Sequence, residues 1–242
     1  MQVHRGIPEQ AETAAVLTIG NFDGVHLGHQ ALLSLLTDKA RALGLPAVVL
    51  TFEPHPREYF SPADAPARLA SLREKLLLLA SAGVDRCHVC RFDKRFASQP
   101  AQAFIDDILV RGLGVRHLFI GDDFRFGARR QGTFAMLRAA GAESGFGVES
   151  MPTLAVAGER VSSSAVRAAL ARSDLAHAAR LLGRPYSIAG RVSHGDKLGR
   201  QLGFPTANIQ MKHRRPALGG VYVVSVERSE EHTSELQSRQ YL

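Results

Sequence analysis

A parallel β-sheet covered by helices on both faces, followed by a smaller antiparallel β module, is the α/β fold that the sequence predicts. Three observations lead there. Short apolar runs alternate with stretches of helical period as far as residue 183. Loops rich in glycine, proline or serine recur where the apolar runs end. From Pro185 onward the helical period disappears, and glycines break the chain into short alternating runs.

The elements follow in order. Residues 14–19, AAVLTI, read as a buried strand, and 29–44 as an amphipathic helix ended by Gly44, with Pro46 beyond. Residues 47–52, AVVLTF, give a second strand, 67–83 a helix and 84–92 a third strand. A helix over 100–114 with proline at its start leads to a strand at 115–121. The segment QGTFAMLRAAGAESG is a further helix, 146–156 a fifth strand, and 163–173 and 175–183 two short helices. Cys87 and Cys90 lie in the third strand, where alternation puts them on opposite faces. They are expected as buried thiols, with neither a disulfide nor a zinc site.

Composition narrows the function classes. The chain has 242 residues, 45% hydrophobic and 22% charged, with a formal net charge of +7. Lysine occurs only at 39, 75, 94, 197 and 212, so the positive excess is mostly arginine spread along the chain. No basic block with interleaved aromatics occurs, and nucleic-acid binding is not expected. No apolar run reaches membrane-spanning length and the start of the chain has no signal core. The expectation is a cytoplasmic protein without membrane contact or an evident obligate protein partner.

Four loops fall at the carboxyl edge of the predicted sheet, where open parallel sheets bind ligands. GNFDGVHLGHQ follows the first strand, TFEPHPRE the second, GDDFRFG the fourth and VSSSAVR the fifth. In the first loop, glycines permit close backbone approach to a phosphate, and the helix start offers free N–H groups. His26 and His29 could both face that anion. The serine run with Arg167 one turn in suits a second phosphate site.

These four segments, in this order and spacing, resemble the adenylyltransferase signatures of the bifunctional riboflavin kinase/FAD synthetases of bacteria. GRVSHGDKLGRQLGFPTANI, residues 190–209, resembles the riboflavin kinase signature of the same family. The resemblance implies a Rossmann-like nucleotidyltransferase domain at 1–184 that joins FMN to the AMP part of ATP, releasing pyrophosphate. It implies a riboflavin kinase domain, an antiparallel β-barrel, from 185 to 227. By the same resemblance His26, His29 and Arg167 are catalytic, and Gly20, Asn21, Phe22, Gly24, Gly28, Ser162, Ser163 and Ser164 bind ATP and its phosphates. Asp23, Pro54, His55, Pro56, Asp123, Phe124 and Phe126 would hold the flavin, and Thr206 and Asn208, in the P-T-A-N motif with Pro205, the Mg²⁺ of the kinase. The transferase loops contain no metal cage, so their Mg²⁺ is expected to arrive with ATP. ATP, FMN and riboflavin are the expected substrates.

After GGVYVVSVE the sequence departs from the family pattern. RSEEHTSELQSRQYL, residues 228–242, resembles the translation of a short-read sequencing adapter. Read so, the segment is foreign, the barrel is incomplete and the expected glutamate base is missing, so kinase activity would be lost. Two other readings are an adenylyltransferase with another phosphorylated acceptor and a non-catalytic flavin- or nucleotide-binding protein. The GFPTANI motif weighs against the first, and retention of both histidines with the serine-arginine cluster against the second.

Overall fold

The computed structural model describes residues 1–121, 123–151, 153–193, 195, 203, 206–211, 215–227 and 240–241. Asp122, Pro205 and residues 228–239 and 242 of the adapter-like string lie outside the described residues.

Strands β1 (Gln2–Arg5), β2 (Ala15–Ile19), β3 (Ala47–Glu53), β4 (Arg86–Arg91), β5 (Val115–Gly121) and β6 (Gly147–Met151) form one sheet in the order β1-β4-β3-β2-β5-β6. Every pairing in it is parallel. The order reverses at β2, which has β3 on one side and β5 on the other. That reversal opens a crevice at the carboxyl end of β2, where the glycine-histidine loop begins.

Side-chain alternation along the strands builds two apolar layers. Leu17, Leu50, Cys90, Leu118 and Ile120 face one layer, which is closed by a helix over Ala101–Ala103 (α5) that continues as a π-helix over Phe104–Gly112, and by α6 (Phe134–Ser144). Val16, Val49, Cys87, Val89 and Phe119 face the other, closed by α1 (Leu27–Leu43) and α3 (Leu72–Ser81). The two cysteines thus point into different layers as free thiols, each pushed up to about 12 by burial. A third cluster joins α7 (Ser163–Ala171) and α8 (Leu175–Leu182) to Leu69 and Leu27 beside the crevice.

Three boundaries differ from the periodicity reading. The helix expected from residue 67 begins at Leu72, because Ser71 caps it with Glu74 in a capping box and the residues before it are not helical. The fifth strand stops at Met151, and residues 155–160 form a separate hairpin of Ala155–Val156 (β7) with Glu159–Arg160 (β8). Exposed β1 carries no apolar pattern and owes its conformation to pairing with β4.

Beyond Gly183 the structure is antiparallel. Arg191–Ser193 (β9) pairs with Asn208–Gln210 (β10), and Ser225–Val226 (β11) with Gln240–Tyr241 (β12). No helix among the described residues is long and apolar enough to cross a membrane.

Candidate active site

The turn between β2 and α1 is built under constraint. Phe22 and Val25 hold positive φ of 47° and 39°, values that side chains with a Cβ rarely adopt. Gly24, at φ +79°, could carry a Cβ only 2.9 Å from Leu69 Cβ. Gly24→Ala should therefore lower stability by about 1–3 kcal/mol. A denaturation midpoint equal to that of the unsubstituted protein would show that the turn has room to adapt. Gly28 lies beneath the His26 ring, and an added Cβ would stand 3.2 Å from His26 Nδ1.

His26 is the N-cap of α1, with its Nδ1 accepting a hydrogen bond from the backbone N–H of His29 at 3.3 Å. A neutral imidazole that accepts at Nδ1 carries its proton on Nε2. The His29 ring stacks on that of His26, with centroids 3.7 Å apart and planes 17° apart. Burial holds the His26 pKa down at about 4, and burial with the neighbouring His26 and Lys75 holds His29 well below its ordinary value.

His55 repeats the arrangement on the neighbouring loop. It caps α2 (Pro56–Phe60) through Nδ1, which accepts from Arg57 N–H at 3.1 Å, and burial lowers its pKa to about 4. The loop is fastened by Arg68, which donates to Glu53 and Glu58, and begins at a cis Glu53–Pro54 bond. His26, His29 and His55 are neutral in the folded protein, whereas in the unfolded chain they gain protons as pH falls below 6.5. Stability is thus fully present above about 6.5 and should decline toward pH 4. Equal urea midpoints at pH 7.5 and pH 5 would contradict this.

The serine-arginine cluster closes the third side. Ser162 caps α7 through Ala165 N–H, Ser163 Oγ donates to the Asp23 carbonyl at 3.0 Å, and Ser164 is exposed. Arg167 does not project freely. Its Nε donates to the Ala67 carbonyl at 2.6 Å and its Nη2 pairs with Asp23 Oδ2. Asp23 is itself buried, and its Oδ1 accepts from the backbone N–H groups of Leu69 and Ala70. Gly20 and Asn21 lead into the turn, and the buried Asn21 Oδ1 has no hydrogen-bond partner among the described residues.

On the far side, Phe124 and Phe126 stack at 5.7 Å, with Phe126 buried in the core against Phe104 and Phe124 half-buried. Asp123 is exposed and accepts from Arg160 of the β7–β8 hairpin at 3.3 Å. Thr206 and Asn208 are exposed, and only Asn208 belongs to a strand.

Two cations at the crevice were not anticipated as site residues. Arg184 donates to the carbonyls of Gly24, Val25 and Leu182, bracing the turn from beyond α8. Lys75, on α3, is 5% exposed. Its signal in the sequence is a charge at an apolar helical position, between Leu72 and Leu79.

A family model described as FAD synthetase matches residues 8–165, and a second described as riboflavin kinase matches 182–239. The chain belongs to the bifunctional riboflavin kinase/FMN adenylyltransferase family. The member from Escherichia coli (strain K12) is 52% identical over 229 residues, covering 93% of this chain and 73% of the relative. That from Pseudomonas fluorescens is 54% identical over 231 residues, covering 94% and 73%. A crystal structure described as a macrolide-efflux protein from Streptococcus pneumoniae superimposes with a TM-score of 0.79 at 29% identity, over 94% of this chain and 75% of that one. The riboflavin kinase match begins at residue 182, within α8, and the antiparallel pairs β9–β10 and β11–β12 lie inside it or at its end.

Proposed function

We propose that this chain makes FAD by transferring the AMP part of ATP to FMN. The carrying observation is the convergence of the stacked histidine pair, the strained turn and the α7 N-terminus at the sheet's topological switch. A phosphate oxygen of FMN attacks the α-phosphorus of ATP, the α–β phosphoanhydride bond breaks and pyrophosphate leaves. The attacking phosphate is already anionic, so the protein's task is positioning and charge stabilisation.

The Nε2–H groups of His26 and His29 are assigned to the transferring phosphate. Ser163, Ser164 and the N-terminus of α7 are assigned to the leaving phosphates, with Arg167 fixing that helix against Asp23. The PHP loop and Phe124 are assigned to the flavin, and the buried Phe126 supports Phe124 from the core. Mg²⁺ is assigned to delivery on ATP, the usual route for this cation in phosphate chemistry. Thr206 and Asn208 are neutral oxygen donors that fit a supplementary role toward a nucleotide-borne Mg²⁺ in the riboflavin kinase module. The same proposal places the module boundary at 184/185 and reads 228–242 as foreign to the protein.

Purified protein given ATP, Mg²⁺ and FMN should yield FAD and pyrophosphate. Absence of FAD under conditions where both substrates bind would overturn the assignment in favour of another acceptor.

A further inference from the structure

Lys75 has an unusual position for a cation. Its side chain enters the protein from α3, and its Nζ lies 3.5 Å from Thr51 Oγ1 at the end of β3. Thr51 Oγ1 in turn donates to the carbonyl of Asn21, at the start of the strained turn, at 3.4 Å. The nearby carboxylates are committed to arginines: Asp23 to Arg167, and Glu53 and Glu58 to Arg68. Among the described residues Lys75 has no ion-pair partner. Burial lowers its pKa, Asp23 and Glu53 oppose that, and its charge reaches both His29 and His55.

Burying an ammonium without a counter-charge is costly. A buried cation short of a counter-ion beside the turn at the carboxyl end of β2 is a pattern expected of a site completed by an anionic ligand.

We propose that Lys75 is a further phosphate-binding residue of this site, whose counter-ion is a phosphate group of the substrates seated against the 20–26 turn. The inference rests on the proposed adenylyl transfer for the identity of the substrates. The shared chemistry is a phosphate, which could be that of FMN or belong to the ATP chain.

The test uses the full chain with Lys75→Met and Lys75→Gln. Both remove the charge, and Gln keeps a donor for Thr51. Thermal unfolding without ligand, calorimetric titration with inorganic tripolyphosphate and with FMN, and steady-state kinetics are compared with the unsubstituted protein. Melting temperature should hold or rise, because a buried charge is gone, while affinity for at least one anion falls by roughly 10- to 100-fold in both variants. The anion affected, and the KM that rises with it, identify the phosphate concerned. Unchanged affinity for both anions in either variant would overturn the proposal. So would a fall in melting temperature together with binding, which would make the ammonium a structural group. If the unsubstituted protein makes no FAD, the proposed reaction fails, while the tripolyphosphate titration still judges Lys75.

Discussion

His29→Ala should reduce the turnover of FAD formation by roughly 10²- to 10³-fold, the loss expected when one preorganised donor to a developing charge is removed. FMN and ATP affinities should change far less. The geometry makes this a clean substitution. The atom of residue 29 that takes part in the α1 cap is its backbone N–H, which donates to His26 Nδ1 and which alanine retains, so His26 keeps its hydrogen bond and its orientation. His26→Ala, by contrast, deletes the cap itself, and part of its effect would be about 0.5–2 kcal/mol of lost helix stability. Turnover of His29→Ala within threefold of the unsubstituted protein would remove His29 from the mechanism.

The neutrality of the free histidines fits this role. Two imidazolium ions stacked at 3.7 Å would repel each other, and burial disfavours even one. A neutral Nε2–H still donates to phosphate, and the incoming negative charge raises the histidine pKa as it binds. The protein thereby avoids a standing pair of buried cations.

Much of this arrangement was legible in the sequence because it is carried by short-range patterns. Alternation in residues 47–52 and 84–92 placed Val49 and Leu50, and Cys87 and Cys90, on opposite faces, and both layers are occupied that way. The four glycine-, proline- or serine-rich loops were legible because each follows an apolar run. Two of the helix caps were not: Ser, Thr, Asp and Asn are the residues that signal an N-cap, as at Ser71 and Ser162, whereas α1 and α2 are capped by the imidazoles of His26 and His55. The π-helix over Phe104–Gly112 shares the apolar spacing of an α-helix, so periodicity reads it as α. Arg184 was missed because its contacts with the Gly24 and Val25 carbonyls are made across long stretches of chain and leave no local pattern, and Lys75 because its charge at an apolar helical position gains its meaning only from the distant Thr51.

The largest loss of stability should come from Asp23→Ala. The resemblance assigns Asp23 to the flavin, and its carboxylate makes three contacts within the protein. Oδ1 accepts from Leu69 and Ala70 N–H at 3.0 and 3.2 Å, and Oδ2 pairs with Arg167. Its carbonyl also receives Ser163 Oγ. One residue thus ties the turn after β2 to the segment before α3 and to the start of α7. Alanine would leave two backbone N–H groups and a largely buried guanidinium without their acceptor, and breaking a buried ion pair from one side costs about 3–5 kcal/mol. Asp23→Asn keeps an acceptor for the N–H groups and removes only the charge, so it should lose less. The pair also bears on Arg167. If Arg167 acts chiefly by holding α7 against Asp23, then Arg167→Ala should lower the urea midpoint, though less than Asp23→Ala because the Leu69 and Ala70 N–H groups keep their acceptor, and the double substitution should cost little more than Asp23→Ala alone, because the two act as one unit. If Arg167 also reaches the ATP phosphates when substrate binds, Arg167→Ala should raise the KM for ATP beyond that of Asp23→Ala and leave FMN affinity nearly intact. Additive stability losses in the double substitution would show that the pair is not the fastening inferred from its geometry.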